Sequence, residues 1–130
     1  MQLELTNKEF RRLLDLVYIG NWVLNSTRGS DRFQDYDLVQ SKVFSLSPGL
    51  SQSLGPLTVP SREYVEGGIH EAISYYEDNI FYEILAEELS RRDMDYPEVT
   101  DENYPEIAER MQQYMQEFET CGVDHLKLED

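Results

Sequence analysis

Residues 75–93, YYEDNIFYEILAEELSRRD, hold six carboxylates and four aromatic rings within nineteen positions. Phe81, Ile84, Leu85 and Leu89 recur at intervals of one to four, the spacing of one apolar helix face, so the stretch predicts helix and not strand. Glu77, Asp78 and Asn79 are residue types that cap helices. They predict a break there, separating a third helix, starting near Ser61, from a fourth that runs from about Ile80 to Arg92. The third carries Val65, Ile69, Ala72, Ile73, Tyr76 and Ile80 along one face.

The same period recurs toward both ends. In LTNKEF (residues 5–10) Thr6 and Glu9 have capping-box spacing and predict a first helix from about Asn7, with Phe10, Leu13, Leu14 and Val17 on one face. From Leu16 to Leu24 apolar residues surround the axis, which predicts burial on several sides and makes this the central helix. NSTRGSD (25–31) reads as a turn, followed by a second helix on Phe33, Tyr36, Val39, Val43 and Leu46. PGLSQSLGPLTVP (48–60) has three prolines and two glycines and reads as a loop, either a lid or a spacer. A fifth helix opens at Asn103 and Pro105, buries Ile107, Met111, Tyr114, Met115 and Phe118, and stops at Gly122.

QLELT (2–6) and HLKLE (125–129) alternate polar residues with leucine, the strand period. They predict a two-stranded ribbon joining the chain termini, with two separately docked tails as the alternative. The expected fold class is therefore all-α, a single compact bundle of about five helices forming one domain over residues 1–130.

Charge is unevenly placed. The net charge is -15, and residues 63–130 carry twenty acidic against four basic side chains. Such a surface repels phosphate backbones and anionic lipid, so direct nucleic-acid and membrane binding are not expected. It favours solubility, cations or a basic or amphipathic protein partner. The longest apolar run, residues 16–24, is shorter than the roughly 20 residues a spanning helix needs. No signal-peptide pattern is visible, and the single Cys121 fits a reducing compartment, so a cytoplasmic location is expected.

Motifs for catalysis are sparse. There is no nucleophile elbow, phosphate loop or H-E-x-x-H, and no cofactor is expected. Glu87 and Glu88 precede Arg91 and Arg92 by four, a spacing for surface ion pairs, whereas Glu83 has no such partner. Glu63, Glu66, His70 and Glu77 share one polar stripe on the third helix, and Glu66 with His70 is an (i, i+4) pair able to hold a divalent cation. Cys121, at a helix end where the dipole disfavours a thiolate, reads as an apolar filler, and His125 as a tail residue. Tyr18 and Trp22 are either core or the exposed anchors of an interface.

FYEILAEELSRRD (81–93) and EFETCGVDHLKL (117–128) resemble segments of a small bacterial family with no characterised function. The resemblance covers the second half of the chain. It implies a bacterial source and transfers no activity, cofactor or catalytic residue.

Two functions from different classes follow from these residues. The first is a non-enzymatic acidic interaction or regulatory module, with Tyr18, Trp22, Glu83 and Glu87 meeting a basic or amphipathic protein. The second is a metal-assisted or acid-base hydrolase using Glu66, His70, Glu77 and Glu83, which requires those side chains to converge.

Overall fold

A computed structural model of the chain, describing residues 1–129, is mostly helical. Its described residues form four helices longer than one turn and a single two-stranded antiparallel ribbon. The chain divides into two units, Met1–Ile73 and Ser74–Asp130.

In the first unit α1 (Asn7–Asn25) starts where its capping box places it. Thr6 Oγ1 accepts from Glu9 N–H at 3.1 Å, and the Glu9 carboxylate accepts from Thr6 N–H at 3.0 Å. Leu14 from α1, Phe44 from α2 (Gln34–Phe44) and Tyr64 form the core, with Phe10, Val17, Tyr18, Val43, Leu50, Val65 and Ile69 packed around it. Phe44 is fully buried and meets the Tyr64 ring edge-on at 5.1 Å. Burying a side chain of this size stabilises by about 1.5–3 kcal/mol.

Two helix faces differ from their apolar patterns. The second half of α1 is not wrapped on several sides, since Leu16 and Val23 stay 71% and 63% exposed while Asn21 and Asn25 are buried. Of the expected α2 stripe Tyr36 and Val39 are exposed, as is Leu46 just past the helix end, while Val43 packs on the core and Asp37, Gln40, Ser41 and Phe44 also face inward. Hydrogen bonding explains the rotation. Asn21 Nδ2 donates to Asp37 at 3.0 Å, and Ser41 Oγ accepts from Thr58 N–H at 2.8 Å. Asn25 clamps the α1–α2 turn by donating to Asn21 Oδ1 and Phe33 C=O and accepting from Phe33 N–H. Polar side chains with partners can occupy a buried face at little cost.

The ribbon is not made by the termini, which are non-strand at residues 1–6 and 126–129. It is a hairpin inside the predicted loop. β1 (Ser51–Leu54) pairs with β2 (Leu57–Pro60) in the register Ser51–Pro60 to Leu54–Leu57, around a two-residue Gly55–Pro56 turn. A two-residue closure costs far less entropy than joining chain ends, and β2 packs on α2.

Five helices become four because the expected break is displaced. Asn79 does not cap a new helix; its Nδ2 donates to Tyr75 C=O at 2.6 Å, and α3 (His70–Asp93) runs on through it. The interruption comes earlier. A single turn, Arg62–Tyr64, capped by Ser61, leads into a π-helical segment, Val65–Ile69, in which Gly68 has φ 111°. That backbone conformation is one side chains rarely adopt.

In the second unit α3 and α4 (Tyr104–Cys121) supply the buried Ala86, Ser90, Ile107 and Phe118. Tyr82 and Tyr114 flank Phe118 with ring centroids at 5.3 and 6.2 Å. Ser90 satisfies its hydroxyl on Ala86 C=O at 2.7 Å, so it is buried without a polar debt. Asn103 precedes α4 but does not cap it with its side chain, which bonds Thr100 N–H and Glu98 C=O instead. No helix among the described residues is long and apolar enough to cross a membrane.

Candidate interaction surface

In the first unit, Tyr18, Trp22 and His70 form a connected aromatic group. His70 meets both rings edge-on, at 5.6 Å from Tyr18 and 5.9 Å from Trp22, and its Nε2 lies 2.6 Å from the Tyr18 hydroxyl. Tyr18 also meets Tyr64 at 5.5 Å. Burial pushes the phenols of Tyr18 and Tyr64 above the ordinary tyrosine range, and Tyr64 is held up further by donating to Asp15 at 2.7 Å. The Arg11 guanidinium lies over the Tyr64 ring at 4.8 Å and pairs with Asp15. Tyr18 and Trp22 are half-buried and line a cavity of about 250 Å³ with Asn21, Asn25, Ser26, Arg32 and Gln40.

Of the residues named for metal or acid-base chemistry, Glu66 accepts from Arg62 Nε at 2.8 Å and His70 contacts Tyr18. Glu66 belongs to the π segment and Gly68, with its positive φ, falls between it and His70, so the two are not one regular α-helical turn apart. Glu77 and Glu83 are exposed on α3. Among the described residues, the group of three or more metal-type donors that converges does not contain Glu66, His70, Glu77 or Glu83.

The second unit carries seventeen acidic against four basic side chains, a net charge of -13. Its α3 surface is mixed. Phe81 and Ile84 are 52% and 53% exposed, three positions apart, with Glu77 four before Phe81 and Glu88 four after Ile84 on the same face. Glu83 and Glu87 lie beside them and are exposed. The ion pairs differ from the expected (i, i+4) set: Arg91 meets Glu88 at 3.6 Å, and Arg92 meets Asp93 at 3.0 Å. Glu87 and Glu83 have no ion-pair partner among the described residues.

Asp93 is the most heavily partnered carboxylate of this unit. It accepts from the Tyr114 hydroxyl and from Arg92, with Arg110 at 3.9 Å. The Tyr114 bond, then Arg92, hold its carboxyl below the ordinary range, and the same bond pushes the Tyr114 phenol up. With Arg92 on α3 and Tyr114 and Arg110 on α4 as partners, Asp93 reads as a structural tie between the two helices.

The chain matches no family model, no curated protein and no solved structure.

The residues that do converge are Glu117, Cys121 and His125, which the sequence motifs above do not single out as a set. Their signal was present in the spacing E-x3-C-x3-H, two steps of four. Reading Cys121 as filler and His125 as half of a strand hid it.

Proposed function

We propose that the protein is a non-enzymatic interaction module whose α3 surface receives a basic amphipathic helix from a partner protein. The observation that carries this reading is the exposure of Phe81 and Ile84 in the middle of a helix that also displays Glu77, Glu83, Glu87 and Glu88. Apolar anchors within a charged rim divide the work of binding. The anchors supply affinity through burial, and the rim supplies encounter rate and orientation. The net charge of -13 on this unit selects a positively charged partner and disfavours acidic ones. Glu83 and Glu87 keep the role their sequence suggested. Tyr18 and Trp22 are half-buried beside His70 in the first unit, and the more exposed Phe81 and Ile84 serve as the anchors on α3.

The test is binding of a lysine- and leucine-rich amphipathic helical peptide, followed by stopped-flow fluorescence at several salt concentrations. The on-rate should fall steeply as salt rises, because steering between exposed charges is screened within about 10 Å at 0.1 M. Replacing Glu83 and Glu87 by Gln should slow association. Phe81→Ser with Ile84→Ser should instead speed dissociation, by roughly tenfold or more for hot-spot positions. An on-rate indifferent to salt, or an affinity indifferent to the loss of Phe81 and Ile84, would remove this reading.

A further inference from the structure

We infer that Glu117, Cys121 and His125 form a binding site for a divalent metal ion of the zinc class, at the C-terminal end of α4. One donor atom from each side chain lies within 4.8 Å of the others. The local fold brings them there. Glu117 and Cys121 are four apart in the last turns of α4 and so share a face. Gly122, with φ 58°, then reverses the chain, and the bonds Asp124 N–H to Cys121 C=O at 3.1 Å and Leu126 N–H to Val123 C=O at 2.9 Å hold the turn. His125 is thereby folded back, and its Nδ1 contacts the Glu117 carboxylate.

The chemistry of the set is specific. A thiolate, an imidazole and a carboxylate are the donors zinc uses. Bonds of about 2.0–2.3 Å in a tetrahedron place such donors roughly 3.3–3.8 Å apart. All three donors lie within 4.8 Å, so metal binding needs shifts of about an ångström: the Glu117–His125 contact has to open to admit the ion, and the thiol has to close on it, within reach of exposed His and half-buried Glu side chains. The thiol and imidazole point to zinc or cobalt in preference to calcium or magnesium, which take oxygen donors. Three protein ligands leave the fourth position open to water or an incoming group. The helix end favours a cation, because the unpaired carbonyls and the negative pole of the dipole converge there. Glu119, Asp124 and Glu129 add negative charge nearby in sequence.

Titration of the purified full chain with cobalt(II) tests the site. One cobalt per chain should bind, with a thiolate-to-cobalt charge-transfer band and visible bands of tetrahedral intensity, and zinc(II) should displace it. Cys121→Ser should abolish the charge-transfer band. His125→Ala, at an exposed position beyond the helix, should weaken cobalt binding by more than the roughly 10- to 100-fold that losing an outer-shell partner costs. Glu109→Gln, outside the cluster, should leave both readouts unchanged. Far-ultraviolet circular dichroism checks that each variant is folded. Cobalt bound without a charge-transfer band, no binding at stoichiometric metal, or equal affinity in His125→Ala would each overturn the assignment and leave a Glu117–His125 hydrogen bond beside a free thiol.

Discussion

Asn25→Ala should be among the most damaging single substitutions in the first unit, although residue 25 begins what reads as a solvent-exposed turn. The side chain is 1% exposed. It makes three hydrogen bonds: to Asn21 Oδ1 at 2.7 Å, to Phe33 C=O at 3.1 Å, and from Phe33 N–H at 2.8 Å. Each is worth about 1 kcal/mol net, and truncation also strands the groups left behind. Phe33 is 38% exposed, so water can reach its backbone, whereas the Asn21 amide oxygen is left without its donor in a buried residue. The expected loss is at least about 3 kcal/mol, which at a urea dependence of about 1 kcal/mol/M lowers the midpoint by about 3 M or more. Trp22 is the only tryptophan and lies in the first unit, so its fluorescence reports that unit alone. Asn25→Asp sharpens the test: it keeps the acceptor for Phe33 N–H but turns the two donations into a carboxylate facing two oxygens. It should cost at least as much at pH 7 and recover in part as acid restores a donor. A loss below about 0.5 kcal/mol for Asn25→Ala would show that the clamp does not hold the α1–α2 turn.

Tyr64→Phe removes the hydroxyl that donates to Asp15 and should cost about 1.5 kcal/mol at pH 7, the low end for a bond to a charged group, because Arg11 and Arg12 still pair with Asp15. The Tyr64 phenol is raised in the fold, so its contribution is intact below about pH 10 and is lost as pH rises beyond that; the alkaline decline in urea midpoint should be shallower in Tyr64→Phe, and an unchanged slope would contradict the assignment. Gly68→Ala meets no heavy atom within 4 Å, yet its φ of 111° should make it cost about 1–3 kcal/mol. Gly67→Ala, equally open and without positive φ, should be neutral or slightly stabilising by thermal denaturation; equal losses at the two positions would show that strain is not the cause.

What the sequence revealed, and what it hid, follows from the range of each interaction. The α1 start was legible because Thr6 and Glu9 satisfy each other within three residues. The stop at Gly122 and the Ile107–Phe118 stripe were legible for the same reason, since a cap and a helical period are local. The face of α2 was not. Tyr36 and Val39 of its apolar stripe are exposed because Asp37 and Ser41 find partners on α1 and β2, sixteen and seventeen residues away, whereas helical periodicity assumes that polar side chains face water. The hairpin was hidden by its prolines, although a glycine opening a two-residue turn between short runs is itself a hairpin signal. Asn79 shows the opposite case: a residue type that caps helices predicts a boundary, yet its amide bonds to Tyr75 C=O within a continuing helix.

The acidity of the second unit bears on both inferences, and salt separates them. A surface of net -13 attracts any cation, so a lysine-rich peptide at Phe81 and Ile84 and a metal ion at Cys121 both gain from it. The peptide gains through exposed charges, which monovalent salt screens, and its association should slow as ionic strength rises. The metal gains chiefly through three direct donor bonds, whose strength depends on thiolate and neutral imidazole being available. Its affinity should fall with acid far more than with salt, because protons and metal compete for the same lone pairs. Glu83 and Glu87 carry the first dependence, and Cys121 and His125 the second. Substitution at either pair should therefore change one profile and leave the other in place. Loss of both profiles from either pair would mean that bulk charge, and no built site, underlies the two.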